Sequence, residues 1–268
     1  MVNGRRPAAR STMGRADLPE PEPSRLLAQW LAGPRGRLLR RAQIGLRRRV
    51  LEVGCGHGHV TAELARRCPG EVIALDRDTS PARAAGVVAR LVQADARELA
   101  LPSASCDLVF FQNVLLWVDP AETAISEAAR VLRPGGYLLA VEPDFGGMLE
   151  HPSEVALRDV WLRALAEADA DPEVGRKLPG LCERAGLDVW VELQHLPRSA
   201  DPAAARLLDD LPLSAVDRAR VERVQRRLSQ AAGTWEPFVH VPYFLIAATK
   251  ASGGRDRSPR GPSTLRPT

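Results

Sequence analysis

The chain has 268 residues, 45% hydrophobic and 26% charged, a balance that supports a buried core and excludes a disordered or collagen-like polymer. Its net charge of +4 hides an asymmetry: residues 1–49 carry 12 Arg against 3 acidic groups, whereas residues 50–249 carry 20 basic against 29 acidic groups. The four cysteines (Cys55, Cys68, Cys106, Cys182) form no CxxC pair or metal-ligand spacing, which argues against a disulfide framework or zinc site, and no apolar run reaches the roughly 20 residues of a membrane span.

Residues 1–24 and 251–268, rich in Pro, Arg and Ser without apolar periodicity, read as disordered basic tails. Ser24 reads as the cap of a helix carrying Leu26, Leu27, Trp30 and Leu31 at helical spacing, and a second helix is expected over Gly36–Ile44. Arg49–Val53 is a short apolar strand, followed by a Gly-rich loop and a helix over His59–Arg67. Strands are expected at Glu71–Leu75, Arg90–Gln93, Cys106–Phe111 and Tyr137–Val141. Helices over Pro81–Val88 and Ala121–Leu132 alternate with them, the second stopped by the turn Arg133-Pro134-Gly135-Gly136.

Such alternation implies an α/β fold, a Rossmann-like doubly wound sheet, mostly parallel, with helices on both faces. Ligands bind beyond the carboxyl ends of strands in such sheets, and here a polar residue stands near each end: Glu52, Asp76, Asp95, Asn113 and Glu142. Further along, helices are expected over Ser153–Ala168, Val174–Ala185, Asp201–Asp210 and Ser214–Ala231, with strands at Leu187–Leu193 and Val241–Ala248. The stretch 197–237 between those last strands reads as an inserted helical lid on a domain spanning residues 25–250.

The loop Glu52-Val53-Gly54-Cys55-Gly56-His57-Gly58 joins a strand to a helix N-terminus, where glycines let backbone approach a ligand closely. A nicotinamide dinucleotide site needs G-x-G-x-x-G, but the glycines here follow G-x-G-x-G. Neither Tyr137 nor Tyr243 has a Lys four residues later, which further disfavours an oxidoreductase of the Tyr-x-x-x-Lys kind.

Together, Val50–Gly58, Ala74-Leu75-Asp76, Gln93-Ala94-Asp95-Ala96, Cys106–Asn113 and Val131–Gly136 resemble, in order, the cofactor motifs of class I S-adenosylmethionine-dependent methyltransferases. The resemblance covers about residues 48–145 and is nearest the small-molecule, ubiquinone-biosynthesis-like (type 11) group. It implies a seven-stranded sheet, S-adenosylmethionine as cofactor and a small-molecule acceptor, while the scattered cysteines and the lack of an apolar signal segment or span lead to the expectation of a cytoplasmic enzyme. It also implies a cofactor site made by Glu52, Gly54, Cys55, Gly56, Gly58, Asp76, Arg77, Asp95, Ala96, Gln112 and Asn113. In that scheme Asp76 accepts from the ribose hydroxyls, Asp95 takes the adenine amino group beside the Ala96 amide, and Glu52 holds the methionine ammonium. The segment Asp171–Pro179 also resembles one seen in some bacterial members.

Methyl transfer from a sulfonium is mainly a matter of alignment and exclusion of water, so no fixed catalytic residue is required. Glu142, His151 and His240, with Asp144, are the candidate bases near the mouth, and Trp117 and Phe145 are candidate walls. Two features argue against a nucleic-acid methyltransferase. Gln112-Asn113-Val114-Leu115 stands where a base-gripping Asn/Asp-Pro-Pro-aromatic turn would be, and the loop after the fourth strand holds no nucleophilic Cys, since Cys106 begins that strand and Cys182 lies on a distant helix. An RNA or protein methyltransferase using the basic N-terminus, and a non-catalytic cofactor-binding module, are the alternatives.

Overall fold

The computed structural model describes residues 21–194, 198–199, 201–231 and 233–252. Most of the expected tails 1–24 and 251–268 lies outside the described residues, as does part of the expected lid boundary near residue 197, whereas residues 21–24 are helical and not part of a disordered tail. Helix α1 (Pro21–Trp30) starts earlier than expected, with Pro at its first position, so Ser24 is inside the helix and is no cap. Helix α2 (Ala32–Arg41) follows almost at once.

Strands β1 (Arg49–Val53), β2 (Glu71–Asp76), β3 (Arg90–Gln93), β4 (Cys106–Gln112) and β5 (Leu132–Pro143) alternate with helices α3 (His59–Arg67), α4 (Ser80–Ala84) and α5 (Ala121–Val131). Beyond them come β6 (Leu149–His151), α6 (Arg158–Glu167), α7 (Val174–Arg184), β7 (Leu187–Leu193), β8 (Arg198–Ser199), α8 (Pro202–Arg206), α9 (Ala215–Gln230), β9 (Phe238–His240) and β10 (Tyr243–Lys250). The main sheet has seven strands in the order β3-β2-β1-β4-β5-β10-β7, with β10 antiparallel to both its neighbours and the other pairs parallel.

Side chains alternate across each strand, which explains the two separate cores. Leu108 and Phe110 of β4, with Leu139 and Val141 of β5, face α1, α2 and α3. Val109, Phe111, Leu138 and Ala140 face the opposite core, which gathers α5, α6, α7 and the inserted helices. On α5 the buried set Ala124, Ile125, Ala128, Ala129 and Val131 has the spacing of one helix face.

Several boundaries differ from expectation for identifiable reasons. The expected helix over Ser153–Ala168 is split: a 3-10 turn covers Ser153–Val155 and α6 begins only at Arg158. The Glu150 carboxylate accepts from the Leu157 and Arg158 amides, capping a new N-terminus from a distance in sequence. The Arg-Pro-Gly-Gly turn ends α5 as expected but is drawn into β5 by pairing with β4, where the register shifts between Cys106 and Leu108.

The insertion between β7 and β10 holds α8 and α9, as the expected lid would. Asp201 and Ser214 cap them by accepting from the Ala203 and Asp217 amides, and α8 ends at Arg206, short of the expected Asp210. Its last strand joins an unforeseen three-stranded sheet, β6-β9-β8, whose strands of two or three residues are too short to show a period. The segment Asp171–Pro179 buttresses the sheet. Gly175 of α7 lies so near that a Cβ would come within 2.8 Å of the Pro143 carbonyl oxygen, and Arg176 binds the buried Asp144 carboxylate at 2.8 Å.

Candidate functional site

A cavity of about 460 Å³ opens at the carboxyl ends of β1, β2 and β4. Of the residues expected to bind cofactor, Glu52, Gly54, Cys55, Gly56, Asp76, Arg77, Asp95, Ala96, Gln112 and Asn113 all line it. Gly58 does not: it has φ +77°, caps α3 from below, and donates its N–H to the Cys55 carbonyl at 2.7 Å.

The loop's shape follows from its glycines. Gly54 has φ +76°, and a Cβ there would fall 2.3 Å from Cγ2 of Val114. Its N–H and that of Cys55 both donate to the Leu75 carbonyl, at 2.7 and 3.1 Å, which pins the turn to the end of β2. Asn113 also has a left-handed backbone (φ 54°), a conformation that Asn tolerates better than most residues. Cys55 is a buried neutral thiol, its pKa pushed up by burial and by the nearby Glu52 and Asp76 carboxylates.

The two aspartates differ in how far their carboxylates are engaged by described residues. Asp76 accepts from the Gly56 amide on Oδ2 at 2.9 Å and from the Asp78 amide on Oδ1 at 3.2 Å. Each carboxylate oxygen has two acceptor positions, and these two bonds from described residues use one on each, which suits the pair to adjacent hydroxyls. Asp95 is more occupied: Oδ1 accepts from the amide and Nε of Arg97, and Oδ2 from its Nη2. That hydrogen-bonded pairing holds the Asp95 pKa below its usual range. Arg97 is a site-shaping residue that the sequence reading missed.

Glu52 is 3% exposed and accepts from the Thr61 hydroxyl. Burial pushes its pKa up to about 8, against the opposing pull of Thr61 and the Arg35 charge. Arg35, 3% exposed, is the second residue missed. It joins Glu63 of α3 in a buried ion pair and donates to the Ala28 carbonyl at 3.0 Å and Gln112 Oε1 at 2.9 Å. The reason it was missed is plain: the Arg-rich N-terminal stretch reads as a solvated surface, and nothing in its spacing marks one Arg for burial.

The candidate bases separate. Glu142 is fully buried and lines no described cavity; its Oε1 accepts from the amides of Val114 at 2.9 Å and Leu115 at 3.2 Å. It braces the loop after β4 instead of facing an acceptor, and burial raises its pKa to about 8. Asp144, bound to Arg176, is likewise a brace. His151 is exposed and lines neither cavity: on β6 it alternates with Glu150, so one faces solvent where the other faces inward. His240 lines a second cavity, of about 670 Å³, and burial lowers its pKa. Trp117 and Phe145 line the first cavity, and Phe145 also packs on Trp161 with ring centroids 4.6 Å apart.

A pH prediction follows from the two buried glutamates. Both have folded-state pKa values raised above the ordinary carboxyl value of 4.5, so their favourable contribution is complete below that pH and is lost as pH rises through about 8. The melting temperature of the ligand-free protein should therefore fall between about pH 5 and pH 8, and Glu142→Gln should flatten part of that slope. Thermal scans across this range would contradict the assignment if wild type and variant ran parallel.

Comparison with known proteins agrees with the geometry. Residues 51–140 match the methyltransferase domain family. A trans-aconitate 2-methyltransferase of Methylobacterium radiotolerans is 34% identical over 189 residues, covering 64% of this chain and 70% of that protein. The Mycobacterium tuberculosis trans-aconitate 2-methyltransferase is 33% identical over 142 residues, 52% of this chain and 51% of that protein. The chain thus spans from about half to seven-tenths of the length of these relatives. The fold is shared with a phosphoethanolamine N-methyltransferase of Haemonchus contortus, solved with phosphomonomethylethanolamine and S-adenosylhomocysteine. That match has a TM-score of 0.56 at 16% identity and covers 87% of this chain and 58% of the other. With the Gly54 turn, the acidic strand ends and these matches together, the chain belongs to the class I S-adenosylmethionine-dependent methyltransferases.

Proposed function

We propose that the protein transfers a methyl group from S-adenosylmethionine to an O, N or C nucleophile of a small molecule. The observation that carries this reading is the adjacency of two cavities. Leu27, Phe145, Trp161, Leu207 and Tyr243 line both the strand-end cavity and the larger one beside it. The first, at about 460 Å³, has the size of a small-molecule site, and its polar groups fit the cofactor's parts. Asp76 would take the ribose hydroxyls on its two carboxylate oxygens, Asp95 the adenine amino group, and Glu52 the ammonium, with Gln112 and Asn113 near the amino-acid end. The bound cofactor supplies a methyl group on a positively charged sulfur.

The chain's own residues then position and desolvate. Leu207 and Leu211 from the insertion, with Leu27 and Ala28 of α1, give the cavity apolar walls that would displace water around a bound ligand. His240, held neutral by burial, is the candidate to accept a proton where the nucleophile must lose one. The relatives' names make trans-aconitate the reference acceptor against which other small molecules are compared.

Asp76→Ala tests the assignment. It should weaken binding of S-adenosylhomocysteine by about 1–3 kcal/mol, through loss of charge-assisted hydrogen bonds. Calorimetry showing an unchanged affinity in the folded variant would remove the ribose contact. Wild-type protein that binds no S-adenosylhomocysteine would remove the proposed function itself.

A further inference from the structure

The larger cavity carries a polar signature that the proposed cofactor site does not use. Its wall is built mainly from apolar side chains such as Leu31, Met148 and Val239, and it includes Trp235. The charged residues on it, among those described, are Glu150 and Asp201, and both are already engaged. Glu150 accepts from the Leu157 and Arg158 amides, at 2.6 and 3.1 Å, and Asp201 accepts from the Ala203 amide at 2.8 Å. They serve as helix caps at the edge of the cavity.

Gln194 is different. It follows β7, lines the cavity, is only 7% exposed, and its Oε1 has no hydrogen-bond partner among the described residues. Its backbone is held in place by donation from its N–H to the Tyr243 carbonyl at 3.0 Å. A buried amide oxygen left without a partner costs roughly 1–3 kcal/mol, so such a group is kept where something satisfies it in another state. Rotation about the terminal torsion exchanges the amide oxygen and nitrogen, so the side chain can accept from or donate to one polar group in an apolar chamber.

We infer that the acceptor is a predominantly apolar molecule bearing a hydroxyl group, and that Gln194 orients it by hydrogen bonding within the larger cavity. A hydroxyl suits the site because it donates and accepts through one atom. A polycarboxylate does not, because the described charges around it are acidic and its own charges would lose hydration there. The inference rests on the proposed function, and Gln194 is a positioning residue for specificity.

The test uses calorimetry on the full chain, with and without S-adenosylhomocysteine, and three probes: 2-naphthol, 2-ethylnaphthalene and trans-aconitate. The expected order is 2-naphthol tightest and trans-aconitate weakest. Gln194→Met should weaken 2-naphthol about tenfold, the scale of one lost hydrogen bond in a buried setting, while sparing 2-ethylnaphthalene, which has no hydrogen-bonding group, and S-adenosylhomocysteine. The same variant should keep or raise the melting temperature, since an unsatisfied polar group has been replaced by an apolar one; a purely structural glutamine would lower it. Ala205→Trp, which fills the cavity wall, should abolish binding of both naphthalenes and serves if Gln194→Met does not fold.

Tighter binding of trans-aconitate than of 2-naphthol, equal weakening of both naphthalenes by Gln194→Met, or no binding of either naphthalene would overturn the inference. Failure of S-adenosylhomocysteine to bind is a separate readout: it would sink the cofactor assignment while the naphthalene comparison still reports on this cavity.

Discussion

Replacing Arg35 with Leu is expected to lower stability by about 3 kcal/mol, toward the bottom of the range for breaking a buried ion pair from one side. The side chain is 4% exposed and that of Glu63 is 9% exposed, so loss of the guanidinium leaves a carboxylate in the core between α2 and α3. Arg67 still reaches Glu63 at 2.7 Å from the surface, and this remaining partner is why the lower bound applies. The variant also releases Gln112 Oε1 and the Ala28 carbonyl, and removes a positive charge that draws the Glu52 pKa down. Cofactor affinity should therefore fall along with stability.

The double variant Arg35→Met with Glu63→Met separates these effects. With both charges gone, stability should return close to the wild-type value, because well-packed apolar groups replace a desolvated pair at little cost. Cofactor affinity should stay low, since Gln112 remains unheld. Urea unfolding and S-adenosylhomocysteine calorimetry on the three proteins would decide it. A double variant as unstable as the single one would show that packing, and not the stranded carboxylate, sets the penalty.

Gly54→Ala is expected to weaken S-adenosylhomocysteine binding by more than about a hundredfold, or roughly 3 kcal/mol, while the protein stays folded. Two costs combine. The backbone at φ +76° is left-handed, and an added Cβ would lie 2.3 and 2.9 Å from the two Cγ atoms of Val114. Valine is stiff about χ1, so it cannot swing aside as a long side chain would. The loop or the β4 segment must move, and the amides that end β1 move with it.

Adding Val114→Ala removes both offending Cγ atoms and leaves the Val114 Cβ 3.2 Å away. The pair of substitutions should recover part of the lost affinity, with the left-handed backbone strain remaining. Recovery of none would mean that steric overlap is not what keeps this position a glycine.

The alternation of short apolar strands with helices was readable in the chain because parallel strands buried on both faces leave continuous apolar runs. Leu187–Leu193 was placed to the residue, and four of the five polar strand ends, Glu52, Asp76, Asp95 and Asn113, line the strand-end cavity. Backbone chemistry was equally local: Gly54 and Gly56 need positive φ, and that need shows in the residue type itself.

Contacts between distant segments had no such signal. Arg35 pairs with Glu63 across 28 positions, and Glu142 turns away from the mouth to brace amides 28 and 27 residues earlier. The small sheet joins strands from before and after the lid, and Gln194 meets an apolar chamber only because that lid folds back over β6. The sequence by itself determined the sheet, the cofactor loop and the family. Tertiary structure alone decided which charges are buried, which candidate bases face a cavity and what lines the larger cavity, because burial and pairing depend on where separate segments meet.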